Sequence, residues 1–261
     1  MNRMSLYKLF FLFAVICLTV SAAFRLKEKN NYDIIFIGDS ITESRMVENA
    51  GTFGPAAIAT DYLKVSGKFQ NVRFSNQGHS GYTTVDFLPV TNKAFPELVK
   101  AADAFFAEKN AGLVFSIMLG TNDSAEKGPN GSPVSAETYR SNLKTLADTL
   151  LSMYPNAKVV FHTPIYYSDS TQNRSVYLRA GRARLQSYFP QIRSLVKAYK
   201  QVQPGRVYLG DEDAYPYFKK KYLSDMNEEH GPAGTFYLHP NKKGAQALGT
   251  FWGKALSRSL K

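Results

Sequence analysis

Short apolar runs rich in β-branched residues alternate along this chain with longer stretches whose apolar positions recur at helical spacing. The run Tyr32-Asp33-Ile34-Ile35-Phe36-Ile37 stops abruptly at Gly38-Asp39-Ser40 and reads as a buried parallel strand. Residues 54 to 65 carry Ala57, Ile58, Tyr62 and Leu63 on one helical face and end at Ser66-Gly67. A short second strand over 71 to 75 leads into Asn76-Gln77-Gly78-His79-Ser80-Gly81. Helical patterning follows from Thr84 and again across 95 to 109, before a third strand over 112 to 119 that stops at Gly120-Thr121-Asn122-Asp123. A Gly-, Pro- and Ser-rich loop spans 124 to 134. Ser135 then caps a helix to Tyr154, with Glu137 in its first turn.

The remainder keeps the same rhythm. A fourth strand over 158 to 162 is broken by Pro164, and an amphipathic helical region from 173 to 203 contains Pro190, which predicts a kink. A fifth strand covers 206 to 209, a brief helix 213 to 222, and residues 224 to 234 read as irregular. The last helix starts near Asn241 and aligns Ala245, Leu248, Phe251, Trp252, Ala255 and Leu256 on a broad apolar face. Strand and helix alternate throughout, which predicts a three-layer α/β/α sandwich around a parallel sheet of about five strands, with no domain boundary. In such sheets ligands bind at the carboxyl edge, where Ser40 would stand. A serine there is either a cap for the next helix or a nucleophile.

The first 22 residues follow a different logic. Arg3 and Lys8 precede an apolar run from Leu9 to Leu18, followed by small residues up to Ala22 and Ala23. That order is a secretory signal peptide, with cleavage expected after Ala22 or Ala23, and the run falls short of the roughly 20 apolar residues a membrane span needs. A lipoprotein signal at Cys17 is disfavoured by bulky Ile16. The expected mature chain, 23 to 261, is a single secreted or periplasmic domain with no cysteine, so its core alone must hold it. The formal charge of +11 includes basic runs such as Lys219-Lys220-Lys221, which read as solvated surface or as an attractor for an acidic substrate. No nucleic-acid motif, repeat or low-complexity tract is present. No His/Cys cluster suits zinc and no glycine-rich stretch forms a phosphate loop, so neither metal nor cofactor is expected.

Three strand ends deliver polar groups to one edge: Ser40, Gly81 and Asn122; His239 stands just before the last helix in Leu238-His239-Pro240-Asn241. With these blocks in order, the chain resembles the SGNH (GDSL-type) hydrolases, whose fold is SGNH/flavodoxin-like. The matches are Gly38-Asp39-Ser40, Asn76-x-Gly78-x-x-Gly81, Gly120-x-Asn122-Asp123 and His239-Pro240-Asn241. The resemblance implies that Ser40 is a nucleophile and His239 its general base. It also implies an oxyanion hole built from the N–H groups of Ser40 and Gly81 and the Asn122 side chain. Histidine suits the base because it titrates near neutrality, and preorganised donors suit the charge that develops on an attacked ester carbonyl.

The other candidates read differently. His162 falls in a strand pattern, His79 in the second-block loop and His230 in a polar segment. Ser80 lacks the second glycine of a Gly-x-Ser-x-Gly elbow, since Tyr82 stands there. Asp123 reads as a loop brace, and Gly78 as a turn glycine. Tyr82, Tyr166 and Tyr167 are either sugar-stacking or packing residues. One family feature is missing: the aspartate expected three residues before the histidine is Phe236. A main-chain carbonyl near Phe236 or a carboxylate from elsewhere, such as Asp211 or Asp213, would have to hold the imidazole; otherwise the site is weakened, or a non-catalytic glycan-binding cleft. The tail from Phe236 to Trp252 is similar to bacterial sialate O-acetylesterases and carbohydrate acetylesterases. That implies a glycan ester as partner and no membrane contact beyond the leader, with lipase or thioesterase chemistry as the alternative.

Overall fold

The computed structural model describes residues 31–260, so the expected leader and its cleavage position lie outside the described residues. Strand β1 (Tyr32–Gly38) is buried along its whole length, which explains why its sequence is nearly continuous in apolar residues. It pairs in parallel with β2 (Val72–Gly78) on one side and β3 (Gly112–Met118) on the other. With β4 (Lys158–Phe161) and β5 (Val207–Leu209), the sheet has the order β2-β1-β3-β4-β5 and is parallel throughout. The chain leaves β1 in one direction to form β2 and returns past β1 to form β3. The strand order therefore reverses beside β1, and the crevice at that reversal opens at the carboxyl ends of the strands.

The helices are α1 (Ser40–Glu43), α2 (Ala50–Phe53), α3 (Pro55–Val65), α4 (Phe95–Phe106), α5 (Ala136–Met153), α6 (Leu178–Val202), α7 (Ala214–Asp225) and α8 (Lys242–Ser259). Helix α3 packs along α8, and α5 along α6. The period of two along the strands assigns the faces. Phe36 of β1 stacks on Trp252 of α8 with ring centroids 5.7 Å apart. Phe115 of β3 is the register partner of Ile35, not Phe36, and meets Tyr154 behind α5 at 5.7 Å. Neighbouring positions thus bury opposite faces, giving the three-layer α/β/α sandwich.

Four stretches differ from the sequence pattern, each for a local reason. Strand β2 runs on through Asn76, Gln77 and Gly78; as an edge strand it carries polar residues without losing its pairing to β1. The stretch from Thr84 is two 3₁₀ turns, Val85–Phe87 and Pro89–Thr91, separated by Leu88 in extended conformation. Helix α6 begins only at Leu178 and runs unbroken through Pro190. The segment expected to be irregular contains an antiparallel hairpin, β6 (Glu229–Gly231) and β7 (Gly234–Phe236).

The α3–α8 contact is close because α8 presents glycine to α3. A Cβ on Gly253 would lie 2.7 Å from the Cβ of Tyr62, a backbone-proximal atom that cannot swing away. Gly51 in α2 has open space in the same position. Gly253→Ala is expected to lose about 1–3 kcal/mol through overpacking, despite its better helix propensity. Gly51→Ala is expected to be neutral or to gain about 0.5 kcal/mol from the unfolded chain's reduced entropy. Urea midpoints for the two variants, compared with wild type, check both signs.

Candidate active site

Where β1 ends, the Asp39 carboxylate accepts the Ile41 N–H at 2.9 Å and starts the single turn α1. The cap is therefore Asp39, and Ser40 is left as the first residue of the turn, half-buried, with its hydroxyl committed elsewhere. That hydroxyl lies 2.9 Å from Nε2 of His239. His239 is positioned by the turn into α8. Asn241 caps that helix through the Gly244 N–H at 3.1 Å, and its amide group donates to the Ser224 carbonyl at 3.0 Å. Asn227 donates its backbone N–H to the His239 carbonyl at 2.8 Å. The imidazole thus sits on a strapped segment.

The acid partner is Glu229, at the start of β6. Its carboxylate lies 2.9 and 3.1 Å from Nδ1 of His239, and Oε1 also accepts the His239 backbone N–H at 3.2 Å. A carboxylate at that distance takes the Nδ1 hydrogen, which leaves Nε2 bare to accept from the Ser40 hydroxyl. The sequence-level alternatives for this role are corrected. Asp211 is buried and spends its two oxygens on the N–H groups of Asp213 and Ala214, each at 3.1 Å, capping α7. Asp213 is exposed, and no carbonyl near Phe236 meets the ring. Glu229 was missed because it lies ten residues from His239 in a segment without apolar periodicity. The turn sequence Gly231-Pro232-Ala233-Gly234 was the available signal: it folds Glu229 directly opposite Phe236, the position where the family carries aspartate.

Gly81 and Asn122 join Ser40 and His239 in one cleft of about 470 Å³. Gly81 has φ +79°, a conformation strained for residues with a Cβ, and its N–H meets no acceptor among the described residues. The Asn122 amide donates one hydrogen to the Tyr82 carbonyl at 2.9 Å, and its oxygen accepts from the Tyr177 hydroxyl at 2.6 Å. Its second amide hydrogen remains for the cleft. Asp123 braces this loop by accepting from the N–H and the hydroxyl of Thr84. Gly78 proves to be a strand residue rather than a turn, with the Glu43 backbone so close that a Cβ would lie 2.2 Å from its nitrogen.

The remaining candidates are structural. His162 is buried, accepts the Asp211 N–H on Nδ1 at 2.9 Å and therefore donates from Nε2 to Ser116 at 2.9 Å. Burial lowers its pKa to about 3, so it stays neutral. His79 stacks on Tyr82, and exposed His230 sits beside Glu228. Ser80 donates to Glu43 and has no histidine partner. Tyr166 and Tyr167 are buried, Tyr82 packs against Phe87, and none of the three lines the cleft. Lys219, Lys220 and Lys221 are exposed on α7, away from it. Among the described residues no cluster of three or more His, Cys, Asp or Glu side chains is arranged to hold a metal, and no helix is long and apolar enough to cross a membrane.

A serine, an imidazole and a carboxylate in hydrogen-bonded series, at the carboxyl edge of a parallel sheet and facing open donors, define a serine-hydrolase type of site on an α/β/α scaffold. Residues 36–247 match the GDSL-like lipase/acylhydrolase family, and the chain belongs to that family. No curated protein matches it in sequence. Its fold is similar to that of a carbohydrate acetylesterase from Sinorhizobium meliloti, at TM-score 0.58 and 14% identity over 87% of this chain and 99% of that one. It is also similar to a putative GDSL-like lipase from Parabacteroides merdae, at TM-score 0.58 and 19% identity over 88% and 97% of the two chains. An aryl esterase from M. smegmatis gives TM-score 0.57 and 15% identity over 88% and 100%.

Beneath the site two carboxylates are buried together. Burial raises the pKa of Asp39 to about 6 and that of Asp123 to about 7, and the Asp39 charge adds to the rise at Asp123. The unfolded chain releases the Asp39 proton near pH 4, so between about pH 4 and 6 the native state binds more protons than the unfolded state. Its contribution to stability is therefore greatest in acid and is lost as pH rises through 6. Asp39→Asn keeps the cap geometry without the titration. Its stability relative to wild type is expected to improve by up to roughly 3 kcal/mol between pH 4 and pH 8. Urea unfolding of both proteins across that range checks the sign; a difference independent of pH would contradict it.

Proposed function

We propose that this protein is an exported serine esterase that removes O-acetyl groups from sugars, either sialic acid or a plant or host polysaccharide. The observation that carries the reading is the unbroken series Ser40–His239–Glu229, each link at 2.9 Å. Ser40 Oγ attacks the acyl carbon while Nε2 of His239 takes the hydroxyl proton. The carbonyl electrons move to oxygen, where the N–H groups of Ser40 and Gly81 and the Asn122 amide receive the charge. Collapse expels the sugar alkoxide, which takes the proton from Nε2. Water then repeats the sequence on the acyl-serine and releases acetate. Glu229 holds the ring in the required tautomer and stabilises the imidazolium.

The choice of acetyl is supported by a second, narrow recess beside Ser40 and His239. It is walled by Ile41, Val47, Pro55 and Ala245 and has a free volume of about 10 Å³. That is the lower limit for a single water molecule, so the recess has no room for a long acyl chain. The carbohydrate half is supported by the resemblance of the tail to carbohydrate acetylesterases and by the polar walls of the main cleft. The charged-then-apolar leader supports export.

Acetate release from O-acetylated sialic acid, acetylated xylan oligomers and an aryl acetate tests the reading, together with an acyl-chain-length series. Ser40→Ala and His239→Ala are expected to lower kcat on the order of 10⁴-fold or more, and Glu229→Gln up to about 10⁴-fold. Asn122→Ala is expected to cost on the order of 10²–10³ in kcat with little change in KM. Wild-type rates that Ser40→Ala does not reduce, or a preference for long acyl chains, would overturn it.

A further inference from the structure

We propose that the alcohol half of the substrate carries an anionic group, and that Arg45 and Arg174, which both line the cleft, select it. This assignment deepens the esterase reading and rests on it. Both arginines line the cleft that contains Ser40 and His239. Neither guanidinium makes an ion pair, a hydrogen bond or a ring contact among the described residues, although most of the chain's other cleft-facing polar groups are committed. Glu229 is bound to His239, Tyr177 to Asn122, and Ser80 to Glu43. Two cations without a partner among the described residues therefore line the cleft that also holds Ser40.

Local backbone holds each arginine where it is. Helix α1 ends at Ser44 in the left-handed conformation, φ +65°, which a residue with a Cβ adopts at a cost. Its hydroxyl donates to the Thr42 carbonyl at 3.2 Å, and Gly54 packs against it so closely that a Cβ there would reach the Ser44 oxygen. That turn sends Arg45 and half-exposed Met46 to the cleft rim. Arg174 is at the tip of a tight turn. The Asn173 side chain accepts the Ser175 N–H at 2.8 Å, the Asn173 N–H meets the Ser175 carbonyl at 3.1 Å, and Gln172 bridges to Val176. Guanidinium groups bind carboxylates and sulfates through paired N–H donors. The exposed setting limits each arginine to a severalfold effect and makes it salt-dependent.

The test compares an O-acetylated methyl glucuronoside with the O-acetylated methyl glucoside and a sulfated O-acetylated glucoside. Neutral aryl acetate serves as a control for the catalytic groups. Wild type is expected to favour the glucuronoside over the glucoside about tenfold in kcat/KM, mainly through KM, with the gap closing in 0.5 M salt. Arg45→Gln and Arg174→Gln should each narrow the preference three- to fivefold, and the double variant should abolish it while aryl acetate turnover stays within about twofold of wild type. If the sulfated sugar matches the glucuronoside, the arginines recognise anions generally; if only the glucuronoside gains, they recognise carboxylate. Equal handling of charged and neutral sugars by wild type, or a preference that survives in the double variant, overturns the assignment. Calorimetric binding of the same sugars to Ser40→Ala decides it independently of turnover. A Ser40→Ala protein that still cleaves aryl acetate would instead sink the esterase reading, leaving the binding result to judge the arginines alone.

Discussion

Parallel pairing in register is the constraint on which the site depends. Gly38 ends β1 level with Gly78 of β2 and with Met118 of β3, so three strands end at one height. Ser40 follows two residues after the first end, Gly81 three after the second and Asn122 four after the third. No long-range force has to gather these groups. The hydrogen-bond ladder does so, and a shift of one strand by one residue would carry every side chain into the opposite helical layer. The same ladder holds the loops in place: each springs from a strand that cannot slide without repacking Ile34, Ile35, Phe36 or their partners on both faces of the sheet.

The loops are tied at a second level by buried and part-buried hydrogen bonds. Asp123 holds Thr84, Asn122 holds Tyr82 and Tyr177, and Asp39 starts the nucleophile's turn. These contacts join groups that would each lose free energy if left unmatched, so they fix geometry more firmly than their net contribution to stability would indicate. Two carboxylates with raised pKa values are the consequence of this arrangement. The protein accepts reluctant charges under the site, and gains loops that present donors without rearrangement when an oxyanion forms.

The three layers, the parallel sheet of five strands and the meeting of Ser40, Gly81, Asn122 and His239 at one cleft were legible in the sequence because each is written in a strong local code. Apolar runs mark the buried strands, capping residues mark the helices, and glycine marks the positive φ at position 81. What escaped was written in weaker code. Asn76 to Gly78 belong to an edge strand, where polarity is tolerated and periodicity fades. The 3₁₀ turns after Thr84 share short-range spacing with helix. Glu229 was invisible because two three-residue strands bury too little to leave a pattern, and a carboxylate between Asn227 and His230 looks like solvated loop. The aromatic residues were ambiguous for another reason: Tyr166 and Tyr167 follow a strand that ends in a loop, and only tertiary packing decides that they are buried rather than offered to a ligand.

The replacement of aspartate by a cross-strand glutamate has its own physical logic. In the hairpin, Glu229 faces Phe236, so a carboxylate leaving from the neighbouring strand must travel further to reach the imidazole than one leaving from position 236. Glutamate has the extra methylene for that reach. Position 236 is thereby released to the core, where Phe236 is buried. The longer side chain would ordinarily hold the ring less firmly, since it has one more torsion to fix. Here Oε1 accepts both the Nδ1 hydrogen and the His239 backbone N–H, so the carboxylate is held at two points on the residue it orients. The hairpin and the histidine turn are thereby tied together, and the imidazole is aimed at Ser40 by a carboxylate ten residues away in the chain.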